Sequence, residues 1–425
     1  MPTTLASLAK PAAVPFDTLD KSYRPVMGLV KQLIGVIPNC DPILEIWPVG
    51  FRTYNVLVPN MFNLPATLFG SKSLKSIMGL AMYASSRAAE CPYCSAHTCS
   101  FALRRGATTE AIVGNRSARE AAAIAVAEAL SCVPHRFSKA HHEEFARHFS
   151  LADRGQIVRS VCMMGFLNKF MDAVGVELEQ ESIADVGKLL AGTGWKPGHH
   201  VGDDYRTPET SAAVPRDNLL KYLKVIRHAP GAVRLDRAWT RHVPGDAAEA
   251  KSYLEKEVGY GFPMVAHLKA KRAIRAVTTV LKDNLDKNNT PIGLKAKCLA
   301  ASIYATIVQS SQLEEEARTL SARLAPTGDA EFDAAKQVAL SPTPADAAAW
   351  EHAMNLLRNA GLSPDEAAVL VLARAAAPSP AEVTDPIVKE VAARLRPEQI
   401  VETVVWLSVL QLLNRLYIYY SVVQE

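Results

Sequence analysis

The stretch Leu74-Lys75-Ser76-Ile77-Met78-Gly79-Leu80-Ala81-Met82-Tyr83-Ala84-Ser85-Ser86-Arg87-Ala88-Ala89-Glu90-Cys91-Pro92-Tyr93-Cys94-Ser95-Ala96-His97-Thr98-Cys99 decides the class of this protein. Apolar residues recur in it at helical spacing, no β-branched run precedes the cysteines, and the spacing predicts a helix over 74–90 that breaks before Cys91 and restarts over 95–105. The same periodicity predicts helices over 117–131, 138–149 and 154–174, separated by stops such as Gly106-Ala107 and Val133-Pro134. Short connections imply antiparallel neighbours, and the predicted class is all-α.

The chain has 425 residues, a length that suggests two or three domains. With 49% hydrophobic and 21% charged residues it has the composition of a globular protein that buries real cores. A formal charge of +4 is spread along the chain rather than gathered in a basic block, so nothing points to nucleic acid. Met1 to Lys10 lacks the basic start and long apolar run of a secretory signal, which reads as cytoplasmic. Val404 to Val423 is apolar enough to raise the question of a membrane span. Gln411, Asn414 and Arg415 near its middle favour a buried core helix instead, so no membrane association is expected.

From 192 to 250 the sequence is rich in Gly, Pro, Asp, His and Arg, and this segment reads as a connection between an amino-terminal domain, 1–191, and a carboxy-terminal one, 251–425. The two halves share a pattern. Leu74-Lys75 leads through Ala81-Met82-Tyr83-Ala84 into the cysteine motif, whereas Leu294-Lys295 leads through Ser302-Ile303-Tyr304-Ala305 into Gln312-Leu313-Glu314-Glu315. Phe166-Leu167-Asn168-Lys169-Phe170 in one half is matched by Leu412-Leu413-Asn414-Arg415-Leu416 in the other. A duplicated architecture is expected, with Gln312 and Glu315 about where the second half would carry its cysteines.

Seven cysteines lie at 40, 91, 94, 99, 132, 162 and 298, an odd and scattered set that does not make a disulfide framework. Cys132, Cys162 and Cys298 read as small buried hydrophobes. Cys91 and Cys94, two residues apart at a helix start, can close a small disulfide. The helix terminus there is expected to lower a thiol pKa. His97 returns to the face of Cys94 and is placed to exchange a proton with it. Glu90 and Arg87 are possible supporting groups, Cys99 lies partly round the helix, and Asn168 reads as a buried amide bonded between helices.

The run Ser86-Arg87-Ala88-Ala89-Glu90-Cys91-Pro92-Tyr93-Cys94-Ser95-Ala96-His97-Thr98 resembles the signature of alkyl hydroperoxidase D-like proteins in the carboxymuconolactone decarboxylase superfamily. The likeness covers roughly residues 40–180, and more loosely 255–423. It implies a duplicated helical bundle whose second repeat is degenerate, and a cofactor-free, peroxiredoxin-like antioxidant activity. In it Cys94 attacks a hydroperoxide or disulfide, Cys91 resolves the product into a redox-active disulfide, and a protein or small thiol reduces it. A homo-oligomer is also implied. Two departures stand out. Gly79 occupies the place of the family's proton-relaying Glu, leaving Glu90 as a substitute, and Thr98 occupies the usual place of the histidine, which is His97 here.

Three rival readings remain. Cys-Pro-Tyr-Cys is also the glutaredoxin tetrapeptide, but that fold needs a strand before it. Cys91, Cys94, His97 and Cys99 are plausible zinc ligands, but four ligands from nine residues of one helix do not converge tetrahedrally, so no metal is expected there. The third is a non-catalytic binding or assembly module of the same fold. His135, His141, His142 and His148, set among Glu143, Glu144 and Arg147, read as a solvated helix face.

Overall fold

A computed structural model describes residues 4–210 and 214–423; Met1 to Thr3 of the amino-terminal stretch discussed above lie outside them. The described residues are all-helical, with 22 α-helices and no strand. Local chemistry sets the helix bounds. Ser71 caps Lys72–Ala88 by accepting from Leu74 N, Ser117 and Glu120 form a reciprocal capping box on Ala118–Ser131, and Ser150 caps Leu151–Val174, which Gly175 ends in a left-handed conformation. Each predicted helix of the first half is present within a few residues of its expected bounds. The face carrying His141 and His148 is made of local pairs, Ser138 with His141 at 2.8 Å and His148 with Glu144 at 2.9 Å.

The segment 192–250 is more than a connection. It contains a 22-residue helix, Leu219–Thr240, that lies along Arg24–Ile34. Its pattern is hard to read because Pro230 interrupts it and because Leu219, Leu220, Leu223, Ile226 and Val233 are exposed, which blurs the apolar stripe. The buried apolar side chains of both halves join in one continuous cluster.

At the centre of that cluster two long helices, Leu151–Val174 and Pro397–Val422, lie along each other more extensively than any other pair. Pro397–Val422 is the one helix among the described residues long and apolar enough to cross a membrane, and its most apolar window is entirely buried by the rest of the chain. Arg415 is enclosed with it. Its guanidinium donates to Ser85 Oγ and to the Val161 carbonyl, both at 2.8 Å, and Ser85 is hydrogen-bonded to Ser131. Gly165 makes the room, since a Cβ there would fall 3.0 Å from Arg415 Cδ. A second buried charge, Lys297, pairs with Glu402 at 2.7 Å between the rings of Trp47 and Trp406. Asn168 donates to the Ser85 carbonyl at 3.4 Å, the interhelical role expected of it.

Glu316 is buried and accepts hydrogen bonds from Tyr417 and Tyr260; burial pushes its carboxyl up to about 7, against the pull of those two donors. Between the ordinary value of 4.5 and about 7 the folded state therefore holds a proton the unfolded chain has lost. The stabilisation is complete below that window and disappears across it as pH rises. Glu316→Gln keeps the acceptor and removes the titration. Urea unfolding of both proteins from pH 4.5 to 8 is expected to show the stability difference moving in favour of the variant as pH rises.

Candidate functional site

Glu90 adopts a left-handed conformation with φ +51°, which turns the chain so that Cys91 becomes the N-cap of the helix Pro92–Arg104. Pro92 suits the first helical position because its missing N–H would have no partner there. Cys91 Sγ accepts the backbone N–H of Cys94 at 3.4 Å, which sets both cysteines in one turn. Ser95 and Thr98 hydroxyls return to the Cys91 and Cys94 carbonyls at 2.8 and 2.6 Å. All seven cysteines are free thiols. Trp195 covers this turn by donating to the Pro92 carbonyl at 3.1 Å.

Cys91 is 0% exposed and Cys94 4%. The expected lowering of the thiol pKa does not hold for Cys94. Burial pushes it well above the usual thiol range, reinforced by its hydrogen bond with Cys91 and by the nearby Cys91, Asp172 and Cys40. Desolvation of a thiolate outweighs one helix terminus.

His97 lies on the same helix, and Cys94 and His97 both line one narrow apolar cavity of about 100 Å³, with Tyr54, Phe101, Met164 and Leu167 among its walls. His97 Nε2 is 2.7 Å from Glu179 Oε2. The other carboxylate oxygen, Oε1, accepts from Tyr93 OH and from the Asn39 backbone N–H, both at 2.7 Å. Burial pushes the Glu179 carboxyl up, but the His97 ring beside it and the bonds from His97, Asn39 and Tyr93 more than offset that and hold it below the usual range. Glu179 is thus an anion braced on three sides, with a histidine as its partner in the cavity wall.

Nothing in the sequence singles out Glu179. It is 82 residues from His97, at the N-cap of Gln180–Ala191, where an acidic residue is ordinary. Its only local signal is a second carboxylate, Glu177, beside the Gly175 helix stop. The structure also explains Gly79. A Cβ there would lie 2.6 Å from Ala102 Cα, so the helices Lys72–Ala88 and Pro92–Arg104 meet at backbone distance and leave no volume for a glutamate. Glu90 is exposed and has no place in the cavity. Arg87 donates to the Thr193 carbonyl at 3.3 Å and holds that loop rather than the thiols. Cys99 is fully buried away from the cavity, its thiol pushed up to about 12 by burial.

A turn of similar backbone form, without cysteine, occurs at 309–313. Gln309 is left-handed with φ +57°, and Ser310 caps Ser311–Leu324 by accepting from Leu313 N at 3.3 Å. Gln312 and Glu315 lie in the first two turns of that helix. No family model, no curated protein and no solved structure matches this chain.

Gly79→Ala is expected to destabilise the protein by about 1–3 kcal/mol through overpacking against Ala102. Chemical denaturation measures it, and a neutral result would mean that the two helices are free to separate there.

Proposed function

We propose that this chain is a thiol-dependent peroxidase or disulfide reductase of the alkyl hydroperoxidase D-like kind, acting on hydroperoxides with an apolar organic part. The observation that carries the reading is the convergence of Cys94 and His97 on one apolar cavity, with Cys91 in the same turn and Glu179 behind the histidine. A buried thiol pushed upward needs a base, and a histidine oriented by a carboxylate in the same cavity wall is placed to serve as one.

In the proposed cycle His97 takes the Cys94 proton, and Glu179 stabilises the imidazolium. The Cys94 thiolate attacks the outer hydroperoxide oxygen: an S–O bond forms, the O–O bond breaks, and the leaving alkoxide takes the proton from His97 to depart as the alcohol. Cys91 then attacks the Cys94 sulfenic acid, closing the disulfide and releasing water. An external dithiol returns two electrons and two protons. For a disulfide substrate the same thiolate makes a mixed disulfide that Cys91 resolves. Neither route calls for a cofactor.

The helix order supports the duplicated architecture. Pro48–Met61, Lys72–Ala88, Pro92–Arg104, Ala118–Ser131, Lys139–His148 and Leu151–Val174 are followed in the same order by Lys271–Asn284, Gly293–Val308, Ser311–Leu324, Pro364–Ala376, Asp385–Arg394 and Pro397–Val422. Asp329–Leu340 and Ala347–Asn359 stand as an insertion in the second set. Like pairs with like, Pro48–Met61 against Lys271–Asn284 and Leu151–Val174 against Pro397–Val422, as a pseudo-two-fold relation requires. The second repeat is read as a degenerate partner that buttresses the first.

The near-complete burial of both sulfurs favours a second reading, a non-catalytic binding module of the same fold. Stopped-flow reaction of the reduced protein with cumene hydroperoxide separates the two. Cys94→Ser is expected to abolish the fast phase, while Cys91→Ser retains it but accumulates a sulfenic acid. Equal slow reaction in wild type and both variants would leave the binding module.

Glu179→Gln is expected to lower the rate constant of the Cys94 reaction by about 10²-fold, at the low end for a displaced general base. The decrease should narrow at high pH, where hydroxide supplies the deprotonation. A rate unchanged at pH 7 would remove Glu179 from the relay.

A further inference from the structure

Behind the dithiol, and independent of the reading above, lies a second cluster. We propose that Asp172, His199 and His200 bind one divalent first-row transition-metal ion through Asp172 Oδ1 and the Nε2 atoms of both histidines. The three ligand atoms lie within 4.8 Å of one another, with Asp172 Oδ1 3.8 Å from His199 Nε2 and 3.9 Å from His200 Nε2. Two ligands on one tetrahedral zinc ion are roughly 3.3 Å apart, given bonds of about 2.0–2.2 Å, so each carboxylate–imidazole separation needs to shorten by about half an ångström.

His200 carries the argument. Its ring is fully buried, its Nδ1 donates to the Val176 carbonyl at 2.7 Å, and its Nε2 has no hydrogen-bond partner. A carbonyl accepts only, so Nδ1 bears the hydrogen, and in the neutral ring the Nε2 lone pair is left buried and unused beside a carboxylate. A buried acceptor without a donor is costly, and a histidine oriented by an Nδ1–H bond to a backbone carbonyl is the usual state of a metal ligand. Asp172 is held in the same manner: Oδ2 accepts from the Ala381 backbone N–H at 2.7 Å, leaving Oδ1 for an ion. His199 is the adaptable ligand. Its half-exposed ring bonds the Asp172 carbonyl through Nε2 at 3.1 Å, and binding moves that proton to Nδ1.

Two imidazoles and one carboxylate suit zinc, iron(II) or cobalt(II) better than calcium or magnesium. His199 and His200 also line a surface cavity of about 640 Å³, which supplies an entry path and room for a water as fourth ligand. An ion there would tie the loop carrying Trp195, His199 and His200, which covers the motif turn, to the end of Leu151–Val174.

The test uses the full-length protein, reduced, stripped with chelator and titrated with Co²⁺, together with dialysis against Zn²⁺ and elemental analysis. One equivalent per chain is expected in wild type and in the Cys91→Ser/Cys94→Ser variant, with visible d–d bands and no thiolate charge-transfer band in either. His199→Ala and Asp172→Asn are expected to weaken binding at least about tenfold. Zn²⁺ should raise the melting temperature of wild type but not of His199→Ala, whose half-exposed ring makes it the variant surest to fold. Absence of a stoichiometric ion in the double cysteine variant, or undiminished binding by His199→Ala, would overturn the proposal.

Discussion

The guanidinium of Arg415 is buried where three helices meet, and its Nη1 bridges two of them while its Nε has no hydrogen-bond partner. Its partners, Ser85 Oγ and the Val161 carbonyl, belong to Lys72–Ala88 and Leu151–Val174, so the position of Pro397–Val422 is locked to both. Removing the guanidinium would leave the Val161 carbonyl and Ser85 hydroxyl without their buried donor, at a cost of about 1–3 kcal/mol for each group left unpaired. The thiol turn hangs directly from this junction, since Lys72–Ala88 runs through Ser85 into Glu90 and Cys91. The carboxy-terminal half thereby shapes a site to which it contributes no sulfur.

Burial sets the chemistry of that turn. Burial, with Cys91, Asp172 and Cys40 nearby, raises the Cys94 thiol well above the usual range, so ready deprotonation there calls for a neighbouring base. His97 and Glu179 pair at 2.7 Å in the wall of the same cavity, and Tyr93 and the Asn39 backbone hold the carboxylate ionised in a poorly solvated place. Glu179 also shares its region with groups that feel its charge: Asp41 is pushed up to about 8 by burial and then by Glu179 and Glu45.

Much of this molecule follows from short-range pattern. Helix class and bounds are local matters of periodicity and caps, which is why Ser71, Ser117 and Ser150 start helices where the apolar spacing begins. The pairing of Cys91 with Cys94 and the facing of His97 are equally local, because one turn of helix separates them. Leu219–Thr240 escaped for the converse reason: it is exposed along much of its length and carries Pro230, so its stripe is weak.

By itself, then, the sequence determined an all-helical chain and a dithiol turn with a histidine on its face. Tertiary structure alone decided that the thiols are buried, that the carboxylate comes from Glu179 and not Glu90, and that Gly79 is a contact point between helices. It also brought Asp172 to His199 and His200. The physical reason is range: hydrogen bonds within a turn are implied by spacing, whereas desolvation and charge pairing depend on which distant segments the core brings together.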